Sequence, residues 1–283
     1  MNVYSNIFIN KKILIYGLGR SGTSTFKFLK KNNKISLFDD NKKITSINRI
    51  IKSKFDIIIL SPGINKNICK LKNFLKKNSK IIYTDLDVFK SFYNNECITI
   101  TGTNGKSTTS QLIYEVLKRQ GYDIKLAGNI GYPILSTKNI KPKSIFVIEV
   151  SSYQLEYSRI FNSKYSAILN ITPDHLERHK TLKEYIKVKF KLIKNQKLNS
   201  IAFVNKHDVN TNKFLKKKFF RSKIIKVNVK LNNKYLLNFK NNYFLSTSNK
   251  ENLLFVLEII KKLKINKKLL IKSLTNFKGL KYR

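Results

Sequence analysis

Residues 97–108 read CITITGTNGKST, a strand pattern followed directly by a phosphate-loop pattern. The run CITIT is short, β-branched and apolar, as in a buried strand, while the closing G-K-S-T is typical of a loop that holds a phosphate at the start of a helix. In such a loop backbone N–H groups surround the phosphate, Lys106 neutralises its oxygens and Ser107 can bind Mg²⁺. The preceding glycine is Gly102, so the loop is shorter than the common G-x-x-x-x-G-K-[ST] pattern.

The rest of the chain alternates between strand and helix patterns, which predicts an α/β fold with parallel, doubly wound sheets. Thr181 is the predicted N-cap of a helix, with Glu184 at the capping-box position. The lysine- and asparagine-rich stretch 206–246 gives only weak, strand-like signals. Strands are predicted at 12–16, 34–38, 56–60, 80–83, 97–101, 144–150, 165–170 and 200–205, and helices at 182–195, 249–263 and 267–275.

A second glycine loop, GLGRSG at residues 17–22, lies between the first strand and a helix that should run to about residue 31. Asp39 and Asp40 end the next strand. Glycines here allow close approach of a phosphate, and an acidic residue at the end of the next strand can bind a ribose hydroxyl. The loop alone fits a dinucleotide-binding domain, so an NAD-dependent oxidoreductase is one alternative. A tight turn without a ligand is the other.

Two further segments follow predicted strands and carry candidate metal ligands. Glu149 ends an apolar strand, and a buried carboxylate requires a partner such as a cation. His175 lies in the stretch LNITPDHLERH at 169–179, also after a strand. Because parallel strands present their carboxyl ends at one edge, Ser107, Glu149 and His175 are predicted to meet there. His179 and His207 receive no role.

Composition limits the class of protein. A hydrophobic content of 42% excludes a wholly disordered chain. The length of 283 residues suggests two domains. Two cysteines without metal-ligand spacing predict a reducing, cytoplasmic setting. No apolar run is long enough to cross a membrane. The net charge of +41 raises a second alternative, a basic nucleic-acid-binding protein. The cations are nearly all dispersed lysines, which favours a solvated surface without a specific nucleic-acid partner.

These segments, in this order, resemble the Mur ligase family of peptidoglycan synthesis, over essentially the whole chain. The loop TGTNGKST is similar to the whole family and to the folylpolyglutamate ligases. Narrower pieces resemble the branch that adds D-glutamate, namely GLGRSG, SPGI at 61–64, TDLDVF at 84–89, GNIG at 128–131, EVSSYQLE at 149–156 and LNITPDHLERH. The resemblance implies an ATP- and Mg²⁺-dependent cytoplasmic ligase that joins D-glutamate to UDP-N-acetylmuramoyl-L-alanine through an acyl phosphate.

The resemblance also implies roles for individual residues. Those expected to contact UDP are Arg20, Ser21 and Asp39, and those expected at the muramoyl-alanine part are Asn129, Ser151 and Gln154. The implied ATP-binding residues are Gly102, Thr103, Asn104, Gly105, Lys106, Ser107, Thr108, Asn252 and Arg283. The implied Mg²⁺ ligands are Ser107, Glu149, His175 and Lys189, the last as a carbamate. Catalytic roles are expected for Lys106, Lys189 and His175.

The implied domain organisation is a Rossmann-like UDP-binding domain at 1–93, an ATP-binding central domain at 94–279, and the start of a third domain at 280–283. The family carries its third domain after a G-L-x-H-R stretch, where Tyr282 replaces the usual histidine. We expect the catalytic assembly to be incomplete in this chain. The two alternatives are a fragment of a three-domain ligase and one half of a split enzyme with a separately encoded C-terminal domain as its partner. In either case a monomer is expected.

Overall fold

The structure is a computed structural model that describes residues 6–230 and 239–280. Arg283, expected to contact ATP, lies outside the described residues. Within the described ranges, no helix is both long and apolar enough to cross a membrane. The chain divides into two compact units, one comprising 1–94, 132–138 and 153–161 and the other comprising the rest. The division by function into 1–93, 94–279 and 280–283 stays a prediction.

The first unit is built on a four-stranded parallel sheet with strand order β2-β1-β3-β4. Its central strands β1 and β3 are buried from end to end apart from Lys12. Apolar residues on both faces explain this burial, as expected for a parallel sheet covered by helices. The elements are β1 (Lys12–Tyr16), α1 (Arg20–Leu29), β2 (Lys34–Phe38), α2 (Ile47–Lys52), β3 (Ile57–Leu60), α3 (Lys72–Lys77), β4 (Ile82–Tyr83) and α4 (Asp85–Phe92).

The second unit contains a six-stranded parallel sheet with strand order β10-β9-β8-β5-β7-β6. Helix α6 begins in this unit and continues into the first. The elements are β5 (Cys97–Thr101), α5 (Lys106–Arg119), β6 (Ile124–Gly128), β7 (Ile145–Glu149), α6 (Ser152–Tyr157), β8 (Tyr165–Ile168), α7 (Leu176–His179), α8 (Leu182–Lys194), β9 (Ile201–Asn205), α9 (Val209–Leu215), β10 (Lys223–Val227), α10 (Thr247–Ile260) and α11 (Lys267–Thr275).

The order of the second sheet positions the candidate site. Strand β5 lies between β7 and β8, with Ile100 opposite Glu149 and Thr101 opposite Ile168. The carboxyl ends of these three parallel strands therefore share one edge, as the sequence predicted. Ligands of open α/β sheets bind at that edge, where the loops after the strands meet.

The α/β fold class is confirmed, and most predicted elements are found within two residues of their expected ends. Strand β6 and helices α2, α3, α4, α6, α7 and α9 were not assigned, and strand β10 lies in the stretch 206–246 that gave only weak strand-like signals. Helix α10 ends at Ile260 rather than at residue 263. The Thr181 hydroxyl does accept a hydrogen bond from the Glu184 backbone N–H, but Glu184 directs its carboxylate to Lys187 and does not complete the predicted capping box.

Candidate functional site

The loop between β5 and α5 turns sharply at Gly105. This glycine has φ +81°, in the left-handed region that favours glycine. A Cβ added there would fall 2.1 Å from the Asn252 Oδ1 atom, so the buried Asn252 side chain lies directly behind the loop. Helix α5 begins at Lys106, and the backbone N–H groups of a first helical turn have no intrahelical acceptor. This end of α5 can therefore bind an anion.

Two lysines donate to carbonyls of this loop. The Lys106 Nζ atom donates to the Thr103 carbonyl at 2.9 Å, and the Lys189 Nζ atom donates to the Gly102 carbonyl at 2.8 Å. Lys189 projects from α8 and is only 1% exposed, with its ammonium 4.6 Å from the centre of the Tyr185 ring. The amino groups of two lysines thus converge on a loop whose helix end already favours negative charge.

Burial lowers the pKa of Lys189 to about 7 from its ordinary value near 10.5, because desolvation penalises the ammonium. The nearby charge of Lys106 lowers this pKa further, and Asp174 opposes the shift. A substantial fraction of Lys189 is therefore neutral near pH 7, in contrast to an exposed lysine. A neutral amine is a nucleophile, which the protonated form is not.

Glu149 ends β7 with its side chain 1% exposed. Its Oε1 atom accepts a hydrogen bond from the Asn129 Nδ2 atom at 2.9 Å, whereas among the described residues its Oε2 atom has no hydrogen-bond partner. Leaving a buried carboxylate oxygen unpaired is costly, and a cation would remove that cost. Glu149 with the buried hydroxyl of Ser107 offers the oxygen donors that Mg²⁺ prefers.

The described residues contain no group of three His, Cys, Asp or Glu side chains that could hold a metal by themselves. This agrees with the way Mg²⁺ binds at phosphate loops, where waters and phosphate oxygens complete a shell that only one or two protein groups begin. The residues therefore fit Mg²⁺ bound together with a phosphate.

His175 lies in the loop after β8, with φ +53°. Its Nε2 atom is 3.3 Å from the Asp174 carboxylate, and its Nδ1 atom is 3.6 Å from that of Glu177. A side chain with a Cβ held in the left-handed region stores backbone strain, which is often found at functional sites. The predicted role of His175 as a metal ligand stays a prediction.

The glycine loop of the first unit is held by a carboxylate. The Asp39 Oδ2 atom accepts a hydrogen bond from the Leu18 backbone N–H at 2.7 Å, and the Ser61 hydroxyl donates to the Gly17 carbonyl at 2.7 Å. Ser21 forms a hydrogen bond with the buried Asp85 side chain, and Arg20 is exposed at the start of α1. Arg20, Ser21 and Asp39 therefore lie on or beside one loop.

The three residues predicted at the muramoyl-alanine part are distributed over both compact units. Asn129 and Ser151 belong to the second unit, and Asn129 contacts Glu149. Gln154 is buried on α6 in the segment that belongs to the first unit.

Two residues that contact the phosphate loop, and one buried histidine, were not predicted. Asn170 bonds to two backbone N–H groups of the loop, and the Tyr185 hydroxyl lies 3.3 Å from the Thr103 hydroxyl. His179, assigned no role, is buried with its Nε2 atom 3.0 Å from the Ser152 hydroxyl. Asn170 is the last residue of the predicted strand 165–170, and this position at a strand's carboxyl end is the one sequence signal that could have identified it.

A family model described as the Mur ligase middle domain matches residues 100–271. The UDP-N-acetylmuramoylalanine–D-glutamate ligase of Buchnera aphidicola subsp. Baizongia pistaciae is 34% identical over 98% of this chain and 68% of its own length. The chain belongs to the Mur ligase family. The ligase of the same name from Clostridioides difficile is 37% identical over 70% of this chain and 48% of its own length. The matched part of this chain thus spans 68% of the length of the first of these ligases and 48% of the length of the second.

Solved Mur ligase structures share the fold. A UDP-N-acetylmuramate:L-alanyl-gamma-D-glutamyl-meso-diaminopimelate ligase from Neisseria meningitides aligns with a TM-score of 0.65 at 15% identity, covering 96% of this chain and 99% of that one. The MurF ligase of Thermotoga maritima in complex with ADP aligns with a TM-score of 0.55 at 14% identity, covering 98% and 68%. The expected family, fold class and membership of an ATP-dependent ligase family are confirmed. The oxidoreductase and nucleic-acid-binding alternatives find no support.

Proposed function

We propose that this chain carries the UDP-substrate and ATP sites of a ligase that joins D-glutamate to UDP-N-acetylmuramoyl-L-alanine. The observation that carries the proposal is the 34% identity, over 98% of the chain, to a ligase of that name. The buried, partly unpaired Glu149 carboxylate beside a lysine-lined phosphate loop supports it independently. The reaction belongs in the cytoplasm, where ATP is available.

In the proposed reaction the substrate carboxylate attacks the γ-phosphorus of ATP, forming an acyl phosphate and releasing ADP. The amine of D-glutamate then attacks the acyl carbon, loses a proton and expels inorganic phosphate, which leaves an amide. Both reactants of the first step are anions, so their repulsion must be offset. Lys106 does this by placing its ammonium at the phosphate oxygens, and residues 102–108 bind the phosphates.

Ser107 and Glu149 would hold Mg²⁺, with His175 as a further proposed ligand. When bound, the ion neutralises charge on the phosphate oxygens during transfer. Asn252 lies behind the loop at Gly105 and is proposed to reach the adenine. Asn129 keeps one Glu149 oxygen occupied, which directs the other toward the cation.

Lys189 is proposed to react with carbon dioxide. Its neutral amine attacks the carbon, and loss of a proton leaves a carbamate, so a buried cation becomes an anionic oxygen ligand. The lowered pKa supplies the neutral amine that this reaction needs. The neighbouring ammonium of Lys106 favours the negative product.

Arg20, Ser21 and Asp39 are proposed to bind the UDP part, and Asn129, Ser151 and Gln154 the muramoyl-alanine part. A monomer with a separate C-terminal domain stays a prediction, as does the absence of a nucleic-acid partner.

Calorimetric titration of the chain with UDP-N-acetylmuramoyl-L-alanine, and separately with NAD, tests the proposal. We expect the UDP compound to bind with a dissociation constant between about 1 μM and 1 mM, the usual range for enzyme substrates, and NAD not to bind. Arg20→Ala should weaken this binding, whereas Arg49→Ala, on the exposed side of α2, should not. Binding of NAD alone would overturn the proposed function.

A further inference from the structure

The loop after β8 contacts the phosphate loop through one amide side chain. The Asn170 Oδ1 atom accepts hydrogen bonds from the backbone N–H groups of Thr103 at 3.1 Å and Asn104 at 2.8 Å. Its Nδ2 atom donates to the Asn104 carbonyl at 3.2 Å. The Asn170 backbone carbonyl also accepts from the Thr103 N–H at 3.0 Å. A single residue therefore contacts three consecutive peptide groups that lead into Gly105.

A second set of contacts holds the same two loops together. The Thr172 N–H donates to the Thr103 hydroxyl oxygen at 3.1 Å, and the Thr103 hydroxyl lies within 3.2 Å of the Thr172 carbonyl. These bonds flank Ile171, which is buried. The backbone on both sides of Ile171 is thus fixed to the phosphate loop.

Ile171 is itself fixed from behind by the start of α9. Its N–H donates to the Asp208 Oδ2 atom at 2.8 Å, and its carbonyl accepts from the Asn210 Nδ2 atom at 2.9 Å. The Asp208 Oδ1 atom caps α9 by accepting from the Thr211 N–H at 2.7 Å. Asp208 therefore connects a helix end to the strand loop that carries Asn170.

The chemistry of the side chain at position 170 matters because of the charge of the ligand. An amide offers an acceptor and a donor on one planar group and carries no net charge. A carboxylate could accept the same two N–H groups, but it could not donate to the Asn104 carbonyl and would repel a phosphate. The neutral amide therefore holds the loop without opposing the anion that the loop is proposed to bind.

We infer that Asn170 is a positioning residue of the phosphate loop, braced by Asp208, and that it sets the affinity for a triphosphate. The inference rests on the proposed function, because it takes residues 102–108 as the ATP loop. Asn170 acts through the backbone of Thr103 and Asn104.

Binding of Mg²⁺–ATP and of Mg²⁺–tripolyphosphate to wild type, Asn170→Ala and Asn170→Asp tests the inference. Asn170→Ala should weaken both ligands by about tenfold, equivalent to the loss of one or two net hydrogen bonds. Asn170→Asp should bind both more weakly than Asn170→Ala, although it should melt at a higher temperature because it keeps two hydrogen bonds. A merely structural role would give the same rank order for affinity and stability.

Two controls separate positioning from general damage. Affinity for UDP, proposed to bind in the first unit, should not change in either variant. Asn199→Ala, an exposed asparagine before β9, should match wild type. Asp208→Asn offers a milder second variant, because a single amide oxygen cannot accept from both the Ile171 and the Thr211 N–H groups as the two carboxylate oxygens do. It should lower the affinity for ATP by about threefold.

An Asn170→Ala variant that binds ATP within about twofold of wild type would overturn the inference, as would an Asn170→Asp variant that binds better than Asn170→Ala. Unchanged ATP affinity in Asp208→Asn would overturn the role of Asp208. A wild-type chain that binds UDP but neither ATP nor tripolyphosphate would overturn the proposed ATP site itself, and with it this inference.

Discussion

The two glycine loops have the same local design but differ in the side chains that hold them. Both follow a buried parallel strand and open a helix. In the first loop, the Asp39 carboxylate accepts a hydrogen bond from the Leu18 N–H. In the second loop, the neutral Asn170 amide accepts hydrogen bonds from two backbone N–H groups, and two lysines donate to loop carbonyls. The strand–loop–helix pattern therefore identifies a nucleotide-type loop, while the side chains behind it indicate how much phosphate charge it can bind.

The largest expected effect concerns close packing in the first loop. A Cβ at Gly22 would lie 1.8 Å from the Gly17 carbonyl oxygen, whereas one at Gly19 would meet nothing within 4 Å. Gly22→Ala should therefore lower the free energy of unfolding by about 3 kcal/mol or more, because backbone must move. Gly19→Ala is the matched control and should cost less than about 1 kcal/mol. Urea unfolding of both variants measures the difference, and equal stabilities would contradict this packing.

The second-largest effect is expected for Lys106→Ala, which should affect the ligand of one glycine loop and not that of the other. Loss of the ammonium should weaken the affinity for ATP by about a hundredfold, because a charge-assisted contact to phosphate disappears. The affinity for UDP should stay unchanged. Lys118→Ala, on the same helix, should bind both ligands as wild type does. Fluorescence titration with labelled nucleotides measures this. A parallel loss of UDP affinity would break the assignment of one ligand to each loop.

Lys189 should give the second loop a distinctive pH dependence. Its pKa is about 7 in the folded chain and about 10.4 when unfolded, so between these values the unfolded chain binds more protons and stability rises with pH. In CO₂-free buffer we expect a gain of about 2 kcal/mol from pH 7 to pH 9, which Lys189→Met should abolish. Lys187→Met, exposed on the same helix, should keep it. A slope that survives in Lys189→Met would contradict the burial argument.

The smallest expected effect tests the carboxylate of the first loop. Asp39→Asn should cost about 1 kcal/mol of stability, because a charge-assisted hydrogen bond to Leu18 becomes a neutral one. Asp56→Asn removes a similar carboxylate bond to the Lys12 N–H, 2.7 Å long and away from the loop. Both variants should lose similar stability in urea unfolding, but only Asp39→Asn should lower the affinity for UDP in titrations. Equal UDP affinities would remove Asp39 from the proposed site.

The sequence predicted the fold well where local patterns were strong. Glycine loops between apolar strands and helices leave few alternatives, so strands β1, β2 and β5 begin and end at their predicted residues. Strand β10 was only weakly indicated because its surroundings are rich in lysine and asparagine, and its position depends on pairing with β9 rather than on an alternating pattern. The Glu184 half of the capping box was wrong because Lys187 lies one turn away and attracts the carboxylate.

The candidate site was predicted only as far as residue types reveal chemistry. Lys106, Ser107 and Glu149 stand at strand or helix ends, where chemistry is expected. Asn170 and Tyr185 were not identified, because a polar residue that bonds to backbone looks like any other asparagine or tyrosine in the sequence. The burial that lowers the pKa of Lys189 arises from the packing of α8 against the loop, which a lysine-rich helix pattern does not reveal.

Counting the nucleotides bound per chain shows whether each glycine loop binds its own ligand. The chain is first saturated with UDP-N-acetylmuramoyl-L-alanine and then titrated calorimetrically with Mg²⁺–ATP. Two different loops with different ligands predict that ATP binds with a stoichiometry near one and does not displace the UDP compound. Displacement of the UDP compound by ATP, in proportion to the ATP bound, would mean that both nucleotides use one loop and would contradict the assignment of one ligand to each loop.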